Sequence, residues 1–292
     1  MYKYKAYGLS IDSEISLPKL LTNDSNADVK IYFQKLDNDN FNSHISGKNF
    51  KVTNDATYLF FKNSPLIKIY DGNKILINPS VDIDKNLLRD LILGTSFAIL
   101  RHQQGLLVLH ASSVNIDGHS VVFLGDTGQG KSTTAFALNR RGYPLVSDDV
   151  LPLQVFENDS PLVYPAYPGL KLSSEVLLKN GYGKNKFKNS QESRKYLLDV
   201  NEFSSDSIPI KKIYILKRGM NFDVKKISPQ NAIIELINNS FCFPSFNNLE
   251  KSSNLLQCAN VVKNVPIKTL FIKNSLDMMP ELIKTVENDF NY

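Results

Sequence analysis

Short alternating runs open the chain. Between residues 1 and about 82, "KYKAYGLSID", "DVKIYFQKL", "ATYLFFK", "LIKIYDG" and "KILINP" are rich in Ile, Tyr, Phe and Val, and Asn, Asp, Gly and Pro separate them. Runs of this kind, bounded by turn formers, predict β-strands. Asp71-Gly72 lies between two of them and marks a hairpin, because both residues tolerate the positive φ angles of a tight turn. The pattern predicts a mainly antiparallel β region over residues 1–82, with no obvious chemistry of its own.

The period changes after that. Leu87, Leu88, Leu91, Ile92, Ala98 and Ile99 form a stripe near the 3.6 spacing, which predicts a helix from about Asp84 to Gln104. Asp82 or Asp84 would cap its start, and Gly105 would stop it. The stretch "LLVLHASSVNIDGHSVVFLG" then reads as two extended runs joined at Asp117-Gly118, a second hairpin signal. The second run leads directly into a glycine-rich turn. Lys131 to Arg141 has helical character, with Gly142 as a natural stop. "YPLVS" reads as a buried strand that ends at Asp148-Asp149. Farther on, "PIKKIYIL" and "VPIKTLFI" read as strands and "SLDMMPELIKTVENDF" as a closing helix. "SPQNAIIELINNSF" reads as a helix with Ser228 ahead of Pro229 at the first position. This alternation predicts an α/β domain over residues 83–292. The polar segment from Lys179 to Tyr196 is expected to be a loop that orders over substrate.

Composition narrows the picture. The 292 residues are 42% hydrophobic and 22% charged, an ordinary globular balance. A net charge of +5 suits an anionic ligand. The densest basic stretch, "GKNKFKN", is short and has one aromatic, so no nucleic-acid partner is expected. Cys242 and Cys258 have no CxxC spacing and read as free thiols of a reducing compartment. The start lacks the apolar core of a signal peptide, and Arg89 and Asp90 interrupt the most apolar helical stretch. No membrane partner is therefore expected, and a cytoplasmic location is.

The chemistry concentrates between Val121 and Val150. Gly125, Asp126, Thr127, Gly128, Gln129, Gly130, Lys131 and Ser132 fit G-x-x-x-x-G-K-[ST], followed by Thr133. Glycines let the backbone approach phosphate oxygens closely, and successive N–H groups make an anion-holding concavity. The helix that follows adds the positive end of its dipole. Lys131 would bridge the β- and γ-phosphates of ATP, and Ser132 would ligate Mg²⁺ through its hydroxyl. An Asp-Asp pair is usually a solvated turn. Here it closes the strand after the helix, and a strand–helix–parallel strand unit brings both strand ends to the sheet edge where ligands bind. One carboxylate would then hold Mg²⁺ and the other would deprotonate an attacking hydroxyl. His110 ends "LLVLH", where it could stand beside the loop. No pair of histidines has zinc spacing.

"LLVLHASSV" followed by "GDTGQGKSTTAFALNRRGYPLVSDDV" resembles the core of the HPr kinase/phosphorylase family. "YGLSIDSEISLPKL", "YPAYPGLKL", "PIKKIYIL" and "VPIKTLFI" resemble stretches of its branch associated with lasso peptide gene clusters. The resemblance implies a P-loop kinase core of the HPr kinase/PEP carboxykinase-like type, behind an N-terminal mainly β region. It implies ATP and Mg²⁺ as cofactors, Asp148 as the catalytic aspartate, Asp149 as the one associated with Mg²⁺, and His110, the histidine near the loop, as a catalytic residue beside Lys131. The partner implied is a peptide or protein with an acceptor Ser, such as the C-terminal Ser of a lasso-type precursor, and the family's assemblies imply a homo-oligomer. The family's downstream R-G-x-G-I-I-N signature is absent here, so a different acceptor from HPr is expected. A nucleotide-dependent switch or ATPase, and a kinase of a small hydroxylated metabolite, remain as alternatives. Lys171, Arg194 and Lys195 are additional cations that could reach the phosphates or an acidic peptide.

Overall fold

The computed structural model describes residues 1–36, 45–47, 49–182, 195–241, 248–273 and 279–290. Nine strands come first: β1 (Tyr2–Ala6), β2 (Leu9–Ser13), β3 (Leu21–Thr22), β4 (Val29–Phe33), β5 (Ile45–Gly47), β6 (Phe50–Val52), β7 (Ala56–Phe61), β8 (Ser64–Tyr70) and β9 (Lys74–Ile77). They form one sheet in the order β3-β1-β2-β4-β9-β8-β7-β6-β5. The β2–β4 and β4–β9 pairs are parallel and the remaining pairs antiparallel. The β8–β9 hairpin turns at Asp71 and Gly72, with φ of 55° and 62°, as the Asp-Gly signal predicts.

One long helical segment follows. It is α1 (Lys85–Leu91), a π turn over Ile92–Ser96, and α2 (Phe97–Gln103). Asp84 caps it, its side chain accepting from the N–H groups of Asn86 and Leu87. Gly105 ends it with φ 82°. The π turn was not foreseen. It widens the ladder, and the Tyr7 hydroxyl donates to the carbonyl of Leu93 inside it. The segment packs on the first sheet, and Leu88, Ile92, Phe97 and Leu100 share a core with Ile11, Ile31 and Ile69. That core also takes in Val108, Val150, Ala166 and Tyr167 from the second half.

The remaining elements are β10 (Leu107–Leu109), β11 (Ser112–Ile116), β12 (His119–Leu124), α3 (Lys131–Arg140), β13 (Leu145–Asp148), β14 (Leu151–Gln154), β15 (Leu162–Val163), β16 (Gly169–Ser173), α4 (Ser174–Lys179), β17 (Lys195–Asp199), β18 (Ile208–Arg218), β19 (Asp223–Lys226), α5 (Pro229–Asn238), α6 (Asn248–Asn264), β20 (Ile267–Ile272) and α7 (Met279–Phe290). A second sheet runs β10-β14-β15-β18-β12-β11-β13, with β20 beside β18 and β19 beside β20. β12 and β18 are parallel, as are β18 and β20.

Strand alternation divides this sheet between two faces. Val121, Phe123, Tyr214 and Leu216 face a core shared with α3, α4 and α7. Val122, Leu124, Ile213 and Ile215 face Leu236 of α5 and Cys258 and Val261 of α6. The molecule is therefore mixed α/β, with helices on both sides of its second sheet. The sequence reading treated "LLVLHASSVNI" as one run. The structure breaks it after Leu109, sending β10 to β14 at the far edge and β11 to β12 and β13.

Candidate functional site

The site lies where β12 and β13 end. β11 pairs antiparallel with both of them, so β12 and β13 run in the same direction and finish on the same sheet edge. The expected juxtaposition therefore holds, with one strand between the two.

From Leu124 the chain turns into the glycine loop. Gly125, Gly128 and Gly130 have φ of 145°, 86° and 98°, a region that L side chains rarely adopt. A Cβ on Gly125 would stand 3.1 Å from the Leu216 carbonyl, so the loop also needs glycine there for its close approach to β18. Gly130 is the N-cap of α3, and no side chain caps that helix, which leaves its first N–H groups facing the cleft. Lys131 is buried. Its Nζ donates to the Gly125 carbonyl at 2.6 Å and the Asp126 carbonyl at 3.3 Å, which curls the loop around the ammonium. Burial and the charge of Lys195 lower its pKa, against the pull of Asp149, Asp148 and Asp126.

Asp148 is the last residue of β13 and is buried. Its carboxylate accepts from Ser112 Oγ at 2.6 Å and from the Lys171 backbone N–H at 2.8 Å, and the Ser132 side chain lies nearby. Burial, and then the neighbouring Asp149, raise its pKa, and Ser112, the Lys171 N–H and Ser132 only partly offset them. Asp149 adopts φ 76°, which turns its side chain away from the strand. It sits between two donors, His110 Nε2 at 3.0 Å and Lys171 Nζ at 2.8 Å. Burial alone would raise its pKa. The His110 hydrogen bond and the Lys171 ammonium outweigh that, and hold the carboxyl far below the usual carboxylate range.

A cleft of about 390 Å³ opens in front of these groups. Thr127, Gly128, Gly130, Lys131, Ser132 and Thr133 of the loop and α3 line it, together with His110, Lys171 and Lys195 from other elements. Asp148 and Asp149 adjoin that lining, Asp148 through the Lys171 N–H and Asp149 through His110 Nε2 and Lys171 Nζ. Gly125, Asp126 and Gln129 shape the loop from outside the cleft; the Gln129 N–H donates to the Asp126 carbonyl at 3.1 Å. Phe222, Ile272, Met279 and Leu282, which pack in one core, give the lining an apolar part.

Two residues went unnoticed in the sequence. Arg218, at the end of β18, donates from Nη2 to the Gly128 carbonyl at 2.8 Å, which places a guanidinium at the loop. Asn239, the C-cap of α5, accepts from the His110 N–H through its carbonyl at 2.8 Å and from the Gly125 N–H through Oδ1 at 3.4 Å. It couples the histidine to the loop. Neither has a local signal, because both contacts come from distant strands and helices. Lys195 lies at the start of β17 rather than in a loop, and Tyr196 follows it there. Residues 183–194 of the expected lid, Arg194 included, lie outside the described residues, as does Cys242. Cys258 is a buried free thiol.

The donors suit Mg²⁺. A hydroxyl and carboxylates are hard oxygen ligands, and Mg²⁺ with a nucleotide takes one or two carboxylates, phosphate oxygens and water. Among the described residues no cluster of three or more His, Cys, Asp or Glu could hold a metal alone. Nor is any helix among them long and apolar enough to cross a membrane.

No family model matches the sequence, and no curated protein does. Among solved structures, the Hpr(Ser) kinase/phosphatase from Coxiella burnetii is similar at a TM-score of 0.35 and 16% identity, covering 62% of this chain and 89% of that chain. A likeness so distant carries no argument about function, which rests on the geometry of the cleft.

Proposed function

We propose that the protein is an ATP- and Mg²⁺-dependent kinase that transfers the γ-phosphoryl group to a serine hydroxyl of a peptide or protein. The observation that carries this reading is the closeness of the two halves of the site. Ser132 of the loop stands close enough to Asp148 to lower its pKa, so an anion held by the loop lies near that carboxylate.

The loop amides, Lys131 and the start of α3 hold the triphosphate. Phe222, Ile272, Met279 and Leu282 offer the nucleobase an apolar shelf. Ser132 and Asp149 would hold Mg²⁺, which when bound neutralises charge on the phosphoryl oxygens. Asp149 is suited to this, because His110 and Lys171 keep it ionised. Asp148 takes the proton of the incoming hydroxyl, since burial and its neighbour favour its protonated form. Ser112 and the Lys171 N–H fix the orientation of that carboxylate. A lasso-type precursor remains one acceptor of the right chemistry, and a cytoplasmic homo-oligomer remains part of the proposal.

The closeness of Ser132 to Asp148 favours a second division of labour, in which Asp148 holds the metal and Asp149, paired with His110, takes the proton. The two are told apart by replacing each carboxylate in turn. In the first, Asp148→Asn lowers transfer about a hundredfold or more and keeps Mg²⁺-dependent ATP affinity. Asp149→Asn weakens that affinity. If Asp148→Asn is the variant that loses Mg²⁺-dependent binding, the roles are exchanged. If neither substitution changes turnover, the kinase reading is wrong.

A further inference from the structure

Asp149 has a donor on each of its oxygens. His110 Nε2 stands 3.0 Å from Oδ1, and Lys171 Nζ stands 2.8 Å from Oδ2. The two donors are held differently. His110 is fixed at both ends: its backbone N–H donates to the Asn239 carbonyl at 2.8 Å, and its ring meets the Phe241 ring edge-on, with centroids 6.2 Å apart. The backbone of Lys171 is fixed too, since its N–H donates to Asp148 and its strand β16 pairs with β17. Its ammonium, by contrast, reaches Asp149 on a flexible, unbranched chain. That side chain is 21% exposed and lines the cleft together with the glycine loop. Rotation of the Lys171 side chain can therefore free Oδ2 without disturbing the backbone bond that orients Asp148.

A carboxylate oxygen can accept more than one partner, but two cations on one oxygen repel each other. Mg²⁺ sits about 2.1 Å from its oxygen ligands, so on Oδ2 it would stand about 4 Å from an ammonium still bonded there. The ammonium that gives way stays in the cleft where the loop amides and the start of α3 gather phosphate oxygens. We propose that Lys171 is a further phosphate-binding residue, whose ammonium exchanges with Mg²⁺ on Asp149 and moves to the phosphates as it does so. This rests on the reading above in which Asp149 is the carboxylate that holds Mg²⁺. The exchange makes and breaks no covalent bond and moves no proton. It keeps Asp149 paired with a cation throughout, and it commits Lys171 to phosphate only when metal and nucleotide are bound together.

The test is calorimetric titration of the full chain, first with Mg²⁺ alone and then with the non-hydrolysable analogue AMP-PNP at saturating Mg²⁺. Lys171→Met removes the ammonium and keeps the apolar stem. It is expected to tighten the binding of Mg²⁺ alone about tenfold and to weaken the binding of AMP-PNP with Mg²⁺ about tenfold. A lysine that only held Asp149 in place would not give these opposite changes. Lys171→Arg keeps the charge and is expected to return both affinities toward the wild type. If Lys171→Met melts below the assay temperature, Lys171→Gln takes its place. Binding of Mg²⁺ alone that is unchanged, weaker or undetectable in the variant, or AMP-PNP binding that is unchanged, overturns the exchange and leaves the kinase reading standing. Asp149→Asn protein that binds Mg²⁺ alone as the wild type does also overturns it, and leaves the kinase reading with its carboxylate roles exchanged. Wild-type protein that does not bind AMP-PNP with Mg²⁺ overturns the kinase reading and this inference with it.

Discussion

Asp148 and Asp149 are chain neighbours with opposite electrostatic settings, and stability should report it. The pKa of Asp148 is raised in the folded state, by burial first and by Asp149 second. Such a group contributes fully to stability below the ordinary carboxylate pKa of about 4, and that contribution is lost as pH rises through the folded value. Asp148→Asn should therefore melt higher than wild type at pH 7, with the gain disappearing near pH 4. Asp149 has the reverse sign. Its pKa is lowered, so its contribution is present above about pH 4 and lost as acid protonates it. Asp149→Asn leaves Lys171 half-buried without its partner, and should cost about 1–3 kcal/mol at pH 7 after allowance for partial exposure. Thermal melts of both variants between pH 4 and pH 8 check the two signs. A lower melting temperature for Asp148→Asn at pH 7 would contradict the reading of that residue as a strained base.

Among the elements, those with a regular apolar pattern or a specific turn chemistry were legible. The Asp-Gly turns at Asp71 and Asp117, the Asp84 cap and the Ser228-Pro229 helix start all form as read, because each depends on residues a few positions apart. α6 was missed. Its buried stripe runs Asn254, Cys258 and Val261, with Val265 just beyond, so an amide and a thiol occupy positions where a periodic pattern would show aliphatic residues. Ser240 satisfies Asn254 across to the end of α5. The closing helix α7 was foreseen, but its anchor was not. Asp289 accepts from Lys268 Nζ at 2.6 Å, Tyr214 OH at 2.7 Å and Lys212 Nζ at 3.1 Å. Lys212 is only 5% exposed, so removing its counter-charge strands a buried ammonium. Asp289→Asn should destabilise the protein by about 3 kcal/mol in urea unfolding. A change below about 0.5 kcal/mol would mean that α7 is held by its apolar face alone.

At the scale of the whole molecule, two sheets are joined through one core, with the helical segment over residues 85–103 between them. The sequence places a boundary at residue 82, where the period changes. The structure shows that this helical segment shares its core with the first sheet, and that Tyr7 reaches across to Leu93 and to the ring of Tyr167. That sharing was not legible, since a stripe of Leu and Ile does not say which partner it meets. The cleft was legible in outline for the opposite reason. Loop, helix and carboxylates lie within about thirty consecutive residues, and strand direction alone brings them to one edge. The contributions of Arg218 and Asn239 come from elsewhere in the fold and needed coordinates. The central claim is that the loop and the twin carboxylates form a single transfer site. It is tested most directly by incubating γ-labelled ATP, Mg²⁺ and an array of serine-containing peptides with the wild type and with Asp148→Asn. Label in serine phosphate esters with the wild type, and none with Asp148→Asn, is the predicted result; label released only as free phosphate, equally by both, would contradict it.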